Sequence, residues 1–328
     1  MTFAPTNALP GVLASIPSPS ISYIDLGPFR IHFYALCIIT GIIVAVLLTN
    51  RRMTARGAEP WVVLDIALLA VPLAIIGARI YHVLTHPDFY FGEGKNLWAV
   101  FFIWEGGIAI YGALIGGAVG AWLGCRWTGI RFWSFADALA PGLIIAQALG
   151  RFGNYFNQEL FGQPTDAWWG LEISPDKPGF PVGLPADTLF QPTFLYEVVW
   201  NLLGAAVLLW AGKRFTLQWG RLFALYLVWY SAGRIVWESI RIDPSEIFLG
   251  LRTNVWAAIF GVILGLVIFF VQRRRHLGVE PSPYWPGREW AGAAPVQSQD
   301  TDDFVDVSPP PTAEVSTERN ATSSASAT

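Results

Sequence analysis

Seven apolar runs of about twenty residues recur along the chain, at 31–49, 61–84, 107–124, 133–149, 192–211, 222–240 and 255–271. Runs of this length restrict the fold more than any other feature, because a helix of about 20 residues spans the roughly 30 Å hydrocarbon core of a bilayer. Composition agrees. Charged residues make up 14% of the chain and mean hydropathy is +0.44, against about 25% charged residues in an ordinary soluble domain. Arg51, Arg52 and Arg56 follow the first run, Arg126 and Arg131 the third, Lys213, Arg214 and Arg221 the fifth, and Arg273, Arg274 and Arg275 the seventh. Basic residues stay on the cytoplasmic side. The expected fold is therefore an all-α integral membrane protein of seven transmembrane helices, N-terminus outside and C-terminus cytoplasmic. The long stretch 151–191 forms a small extracytoplasmic cap.

The ends differ from the middle. Residues 1–28 are rich in proline and serine, without the basic region and apolar core of a signal peptide, and read as an extracytoplasmic arm before a membrane domain at 29–276. Residues 277–328 hold two arginines against eight acidic residues from Glu280 onward, a charge of −6 that leaves +3 on the remainder. That composition predicts a disordered acidic cytoplasmic tail. Cys37 and Cys125 sit in separate apolar runs and read as packing residues. Glycines 112, 116, 120 and 124 repeat every four residues and give the third helix one smooth face for close helix contact.

Two polar clusters interrupt this apolar background. Arg151, Asn154, Asn157 and Glu159 fall within nine residues after the fourth run, with Gly150 and Gly153 beside the arginine. Guanidinium and amides suit a phosphate or carboxylate, Glu159 offers an acceptor or a base, and the glycines allow a bend or close approach to a ligand. A helix end closed by glycine, with the arginine snorkelling, explains the same residues. In the sixth run Tyr230, Arg234, Glu238 and Arg241 share one helix face. Arg234 with Glu238 reads either as an ion pair locking the helix or as an arginine oriented towards a ligand that also meets Arg151. Arg79, Arg151 and Arg234 all come to the outer ends of their helices. Such convergence suits an anionic phospholipid.

The run G-R-F-G-N-Y-F-N-Q-E-L-F-G from Gly150 to Gly162 is similar to the signature of the prolipoprotein diacylglyceryl transferase family. The resemblance extends from about Leu26 to about Arg275, through H-F-Y at His32 to Tyr34, G-A-R at Gly77 to Arg79, Q-P-T-F-L-Y-E at Gln191 to Glu197 and Y-S-A-G-R-I-V-W-E at Tyr230 to Glu238. It implies a multi-pass enzyme of the bacterial cell membrane with its site towards the outer leaflet. Such an enzyme moves diacylglycerol from phosphatidylglycerol to the lipobox cysteine of prolipoprotein signal peptides, forming a thioether and releasing glycerol phosphate in the first step of lipoprotein maturation. By matched position, catalysis falls on Arg151 and Arg234, with Glu159, and lipid binding on Arg151, Asn154, Tyr34, Arg79, Tyr230 and Glu238. One position departs: W-x-G-G-x-x-x-H-G-G reads W-E-G-G-I-A-I-Y-G-A here, so Tyr111 stands where the family has a histidine. A phenol with a pKa of about 10 is a poor base. Either the arginines favour the thiolate and Tyr111 donates a hydrogen bond, or Glu159, Glu238 or His32 takes the proton. No metal-ligand spacing, phosphate loop or nucleic-acid motif stands out, so neither cofactor nor metal is expected. A transporter or flippase for an anionic lipid is the alternative.

Overall fold

The computed structural model describes residues 15–27, 29–92 and 94–292. Seven long helices dominate: α1 (Phe33–Thr54), α2 (Val62–Thr85), α3 (Ile110–Thr128), α4 (Phe132–Asn157), α5 (Thr193–Arg214), α6 (Arg221–Ile240) and α7 (Thr253–Arg275). Each overlaps one of the apolar runs. α1, α2, α4, α5 and α7 are long and apolar enough to cross a membrane. In α3 the glycines and Arg126 dilute the hydropathy, and in α6 Arg221, Arg234 and Glu238 do.

Helix pairing follows the small residues. α3 lies against α2 so closely that a Cβ at Gly112 would come 2.2 Å from the Gly77 carbonyl oxygen, and one at Gly116 2.2 Å from that of Leu73. Gly120 and Gly124 meet the backbone of Leu69, Ala70 and Ile66 in the same way. The four-residue repeat is thus a packing seam, as expected. α1 packs on α4, α6 on α7, and α4 with α5 and α6 forms the interior.

The polar run after the fourth apolar segment differs from expectation. α4 continues unbroken through Gly150 and Gly153 to Asn157 and ends at Gln158 in the left-handed region, φ +54°. Gly153 is needed for proximity, because the Tyr34 ring lies on its backbone and a Cβ there would meet Tyr34 Cδ2 at 2.3 Å. Arg151 therefore stands on a helix, and the cap begins after it. In the cap, β3 (Leu171–Glu172) pairs antiparallel with β4 (Leu189–Phe190) over Phe161, Ile173 and Phe194. The described part of the N-terminal arm joins it: Ile16 bridges to Leu171, and the Pro17 and Pro19 carbonyls accept from Tyr155 Oη and Gln158 Nε2. β1 (Tyr23–Leu26) pairs antiparallel with β2 (Phe29–His32). A further pair, β5 (Ile247–Phe248) with β6 (Leu251–Arg252), precedes α7.

At the opposite end, Asp137 is fully buried and accepts from the backbone N–H groups of Gly220 at 2.8 Å and Phe223 at 2.9 Å. These are unpaired donors at the start of α6, and an anion there also meets the positive end of the helix dipole.

The tail expectation meets the structure at 277–292, where the chain is packed rather than disordered. Tyr284 inserts among Met53, Val62, Ile66, Cys125 and Ile130, and its hydroxyl accepts from the N–H of Glu59. The Arg131 N–H donates to the Pro283 carbonyl, Trp285 N–H to that of Gly129, and Arg288 to those of Arg126 and Trp127. Composition hid this because a few inserted groups suffice to dock a short strap onto preformed helix ends. Residues 293–328, and 1–14 of the arm, lie outside the described residues.

Candidate active site

Three helices bring the two polar clusters into one chain of ion pairs and hydrogen bonds at the end of the bundle beside the cap. Arg151 on α4 donates through Nη1 to Asn154 Oδ1 at 3.2 Å, and its Nη2 is ion-paired with Glu197 Oε2 on α5 at 2.7 Å. The same Glu197 oxygen lies 3.6 Å from Arg234 Nη1 on α6. Arg234 Nη2 then reaches Glu238 Oε2 at 2.6 Å. Arg234 is thus paired with Glu238, and Glu197 brings it next to the Arg151 cluster.

Glu238 is fully buried, and a carboxylate at such depth is tolerated only when donors surround it. Arg241 approaches at 3.4 Å, Arg252 from β6 at 3.3 Å, and the Asn254 side-chain amide donates at 2.9 Å. Asn254 Oδ1 accepts in turn from the Tyr111 hydroxyl at 2.8 Å. Asp243 binds Arg241 at 2.7 Å and Arg252 at 3.0 Å, closing the outer side. At the other end of the chain, Glu159 Oε1 accepts from Asn154 at 2.8 Å and Asn157 at 3.3 Å.

The electrostatics differ from a simple cationic field. Arg151, Arg234, Arg241 and Arg252 face Glu197, Glu238 and Asp243 directly and Glu159 through Asn154, so positive and negative groups balance. What the site offers an anion is donor capacity. Arg151 and Arg234 side chains remain 16% and 17% exposed, and Arg234 Nη1 makes no hydrogen bond among the described residues. Among the carboxylates, Glu159 is exposed and has no arginine partner among the described residues.

Other expected residues fall near this chain or apart from it. Tyr34 covers Gly153, the neighbour of Asn154. Tyr230 stacks on Tyr226 with ring centres 6.0 Å apart, one turn before Arg234. Arg79 is engaged elsewhere. Its guanidinium donates to the carbonyls of Ala99, Val100, Gly106 and Gly107, and so organises the irregular α2–α3 connection. An irregular loop leaves carbonyls unpaired, and a five-donor fork satisfies several at once. His32 lies at the end of β2 against Tyr23 of β1, ring centres 5.6 Å apart.

Glu197, Arg252, Asp243 and Asn254 gained no role from the sequence. Glu197 could have been found, since it is the sole acidic residue of α5 and a lone carboxylate in a membrane-length helix requires a partner. Asn254, at the start of α7, gave no such signal. A separate open cleft of about 310 Å³ in the cap, bordered by Ser18, Glu172 and Asp187, shares no residue with the network.

The chain is similar to known proteins of one family. A family model described as prolipoprotein diacylglyceryl transferase matches residues 22–271. A protein of Leifsonia xyli subsp. xyli named phosphatidylglycerol--prolipoprotein diacylglyceryl transferase is 60% identical over 302 residues, covering 88% of this chain and 90% of its own. A relative of the same name, numbered 2, from Streptomyces coelicolor is 49% identical over 268 residues, covering 82% and 84%. One from Frankia alni is 50% identical over 272 residues, covering 83% and 71%.

Proposed function

The chain belongs to the prolipoprotein diacylglyceryl transferase family, and we propose that it works at the outer leaflet of the bacterial cell membrane through the network that joins Arg151 to Arg234. The protein is a membrane transferase that moves the diacylglyceryl group of phosphatidylglycerol to prolipoproteins. Its acceptor is the lipobox cysteine of the signal peptide. Seven spans with the N-terminus outside fit the arginines that follow each odd-numbered helix, and leave the cap and the network on the extracytoplasmic side. The observation that carries the reading is the pair of partly exposed guanidiniums held within reach of a single carboxylate oxygen. A phosphodiester offers its oxygens to the same donors with the same charge.

In the reaction, the cysteine sulfur attacks the glycerol carbon that carries the phosphate ester. The carbon–sulfur bond forms as the carbon–oxygen bond breaks, and the electron pair leaves on the phosphate oxygen as glycerol phosphate. Arg151 and Arg234 hold the phosphate and stabilise the charge that develops on it. A free thiol has a pKa of about 8.5, and a balanced site does not lower it as a bare cationic field does. The proton therefore goes to Glu159, whose carboxylate is exposed, oriented by Asn154 and Asn157, and able to pass it to water. Tyr111 donates to Asn254, which cannot relay a proton onward, so the phenol orients rather than deprotonates.

The purified protein in phosphatidylglycerol vesicles, given a signal peptide with a cysteine, should add a diacylglyceryl mass to the peptide and release glycerol phosphate. Lipid redistribution without mass gain would instead mark a lipid transporter. A transport route needs charges that continue through the bundle, and Asp137, the buried acid at the far end, already has both oxygens bound to the backbone of α6.

A further inference from the structure

Glu197 stands at the junction of the network, and nothing in the reaction as written requires it. Its side chain is 4% exposed, and one oxygen, Oε2, faces both Arg151 at 2.7 Å and Arg234 at 3.6 Å. The two arginines come from different helices, α4 and α6, and without an anion between them they repel. Among the described residues no other carboxylate joins them: Arg151 has Asn154 as its second partner, and Arg234 has Glu238. Arg234 Nη1 is buried yet donates to none of the described residues, because it lies beyond good hydrogen-bonding distance from Glu197. One oxygen thus lies between two guanidiniums, 2.7 Å from one and 3.6 Å from the other.

We propose that Glu197 is an internal counter-anion that occupies the phosphate's place electrostatically, setting the spacing of the arginine pair and limiting how tightly it holds an anion. The inference rests on the reading of the arginine pair as the phosphate site. Arg151 and Arg234 with Glu197 and Glu238 sum to zero charge. The incoming phosphodiester carries one negative charge, whereas a phosphate monoester carries about −1.5 to −2 near neutral pH. A pair of uncompensated arginines would grip the doubly charged product most tightly. With Glu197 present, the second charge of the product meets no free cation, and the product leaves. Glu197 is accordingly a positioning residue that governs turnover.

The test compares wild type, Glu197→Gln and Glu197→Asp in phosphatidylglycerol vesicles and in detergent. Glutamine keeps the shape and removes the charge, so glycerol phosphate should bind and inhibit about tenfold more tightly, the scale of removing one nearby repulsive charge. The KM for phosphatidylglycerol should fall and kcat should fall with it. Inorganic phosphate and glycerol phosphate should raise the melting temperature of Glu197→Gln more than that of wild type, since an external anion then replaces the missing one. Aspartate keeps the charge but withdraws it by one methylene, so kcat should fall with product inhibition close to wild type. Unchanged or weaker glycerol phosphate binding in Glu197→Gln, with no extra stabilisation by phosphate, overturns the proposal. Melting and binding are read without turnover, so they decide the role of Glu197 separately. Absence of peptide lipidation by the wild type counts against the transferase site itself.

Discussion

At one end of the bundle Asp137 gives its two oxygens to two backbone N–H groups of α6, while at the other Glu197 gives one oxygen to two guanidiniums. Both carboxylates are buried in helices of membrane length, yet they differ in what holds them. Backbone donors at a helix start cannot turn away, so Asp137 is a fixed part of the fold. Guanidinium donors sit on long, rotatable side chains, so the partners of Glu197 can be taken over by a ligand. The same contrast separates the arginines. Arg79 is buried and, among the described residues, donates to backbone carbonyls alone, whereas Arg151 and Arg234 meet side-chain carboxylates and remain partly exposed. A buried charge bound by backbone reads as architecture, and one bound by side chains reads as a site.

The strongest way to break this comparison is at Arg151. Arg151→Ala should lower transfer by a factor corresponding to about 2.7 to 4 kcal/mol, the usual effect of removing one donor that stabilises developing charge. Arg151→Lys should do nearly the same, because Nη1 and Nη2 bind different partners and one ammonium cannot reproduce the fork. Near-normal turnover by the lysine variant, measured by peptide mass gain, excludes the two-pronged role.

Asp137→Ala should act on the other side of the contrast, on stability more than on chemistry. It leaves two buried N–H groups unpaired, each costing about 1–3 kcal/mol. The thermal unfolding midpoint in detergent should drop sharply, while the KM for phosphatidylglycerol of the folded fraction stays put. An altered KM would place Asp137 in the site's workings.

Removal of residues 277–328 should also lower the midpoint, since the loss of Tyr284 from its cluster is comparable to truncating a buried aromatic, about 3 kcal/mol or more. Ending the chain at 292 instead keeps the strap and should give a higher midpoint than ending it at 276. Equal midpoints for the two truncations would show that the strap contributes nothing.

Tyr111→Phe removes one hydrogen bond to Asn254 and should reduce transfer by no more than about 0.5–1.5 kcal/mol in barrier. Complete inactivity of a correctly folded Tyr111→Phe would make the hydroxyl the base and displace Glu159 from that role.

The smallest effect concerns Glu280 in the strap. Burial pushes its carboxyl above the usual 4.5, outweighing the Ser134 hydroxyl and the arginines Arg56 and Arg131 that favour the charged form. A raised acid pKa means that the docked strap retains the proton that the free strap releases. Its contribution is therefore fully present below 4.5 and is lost as pH rises through the raised value. Glu280→Gln should flatten this part of the melting-temperature profile between about pH 4.5 and neutrality.

Much of this molecule is legible in its sequence, for reasons that differ by element. The helices follow from hydropathy, and each expected run overlaps an observed helix, although α4 continues eight residues past its run to Asn157. The α2–α3 seam follows from the glycine spacing, because no other residue allows backbones so close. The local clusters, Arg151 with Asn154 and Glu159, and Arg234 with Glu238, follow from short-range spacing along one helix or one turn. What joins them does not. Glu197, Asn254 and Arg252 lie on other elements, and their partnership is a property of how α5, α6 and α7 pack. Arg79 shows the opposite error: a shared position at a helix end implied a shared ligand, but nearby carbonyls of an irregular loop claimed it first. The strap escaped detection because average composition describes a segment's tendency to fold alone and says nothing of three or four residues that fit a surface already built.

The seam between α2 and α3 also has a genetic consequence. At Gly77, Gly112, Gly116, Gly120 and Gly124 a single added carbon would lie between 2.2 and 2.8 Å from backbone of the facing helix. Glycine has no smaller substitute, so every missense change at these codons enlarges the residue, and backbone cannot yield as a side-chain tip does. The exposed leucines of the same helices, such as Leu68 and Leu114, have open space around them and accept most apolar replacements. Inactivating mutations in this region should therefore gather in a narrow line of four codons spaced about one helical turn apart on α3, with a fifth, Gly77, facing them on α2. Random mutagenesis with selection for function would draw that line directly.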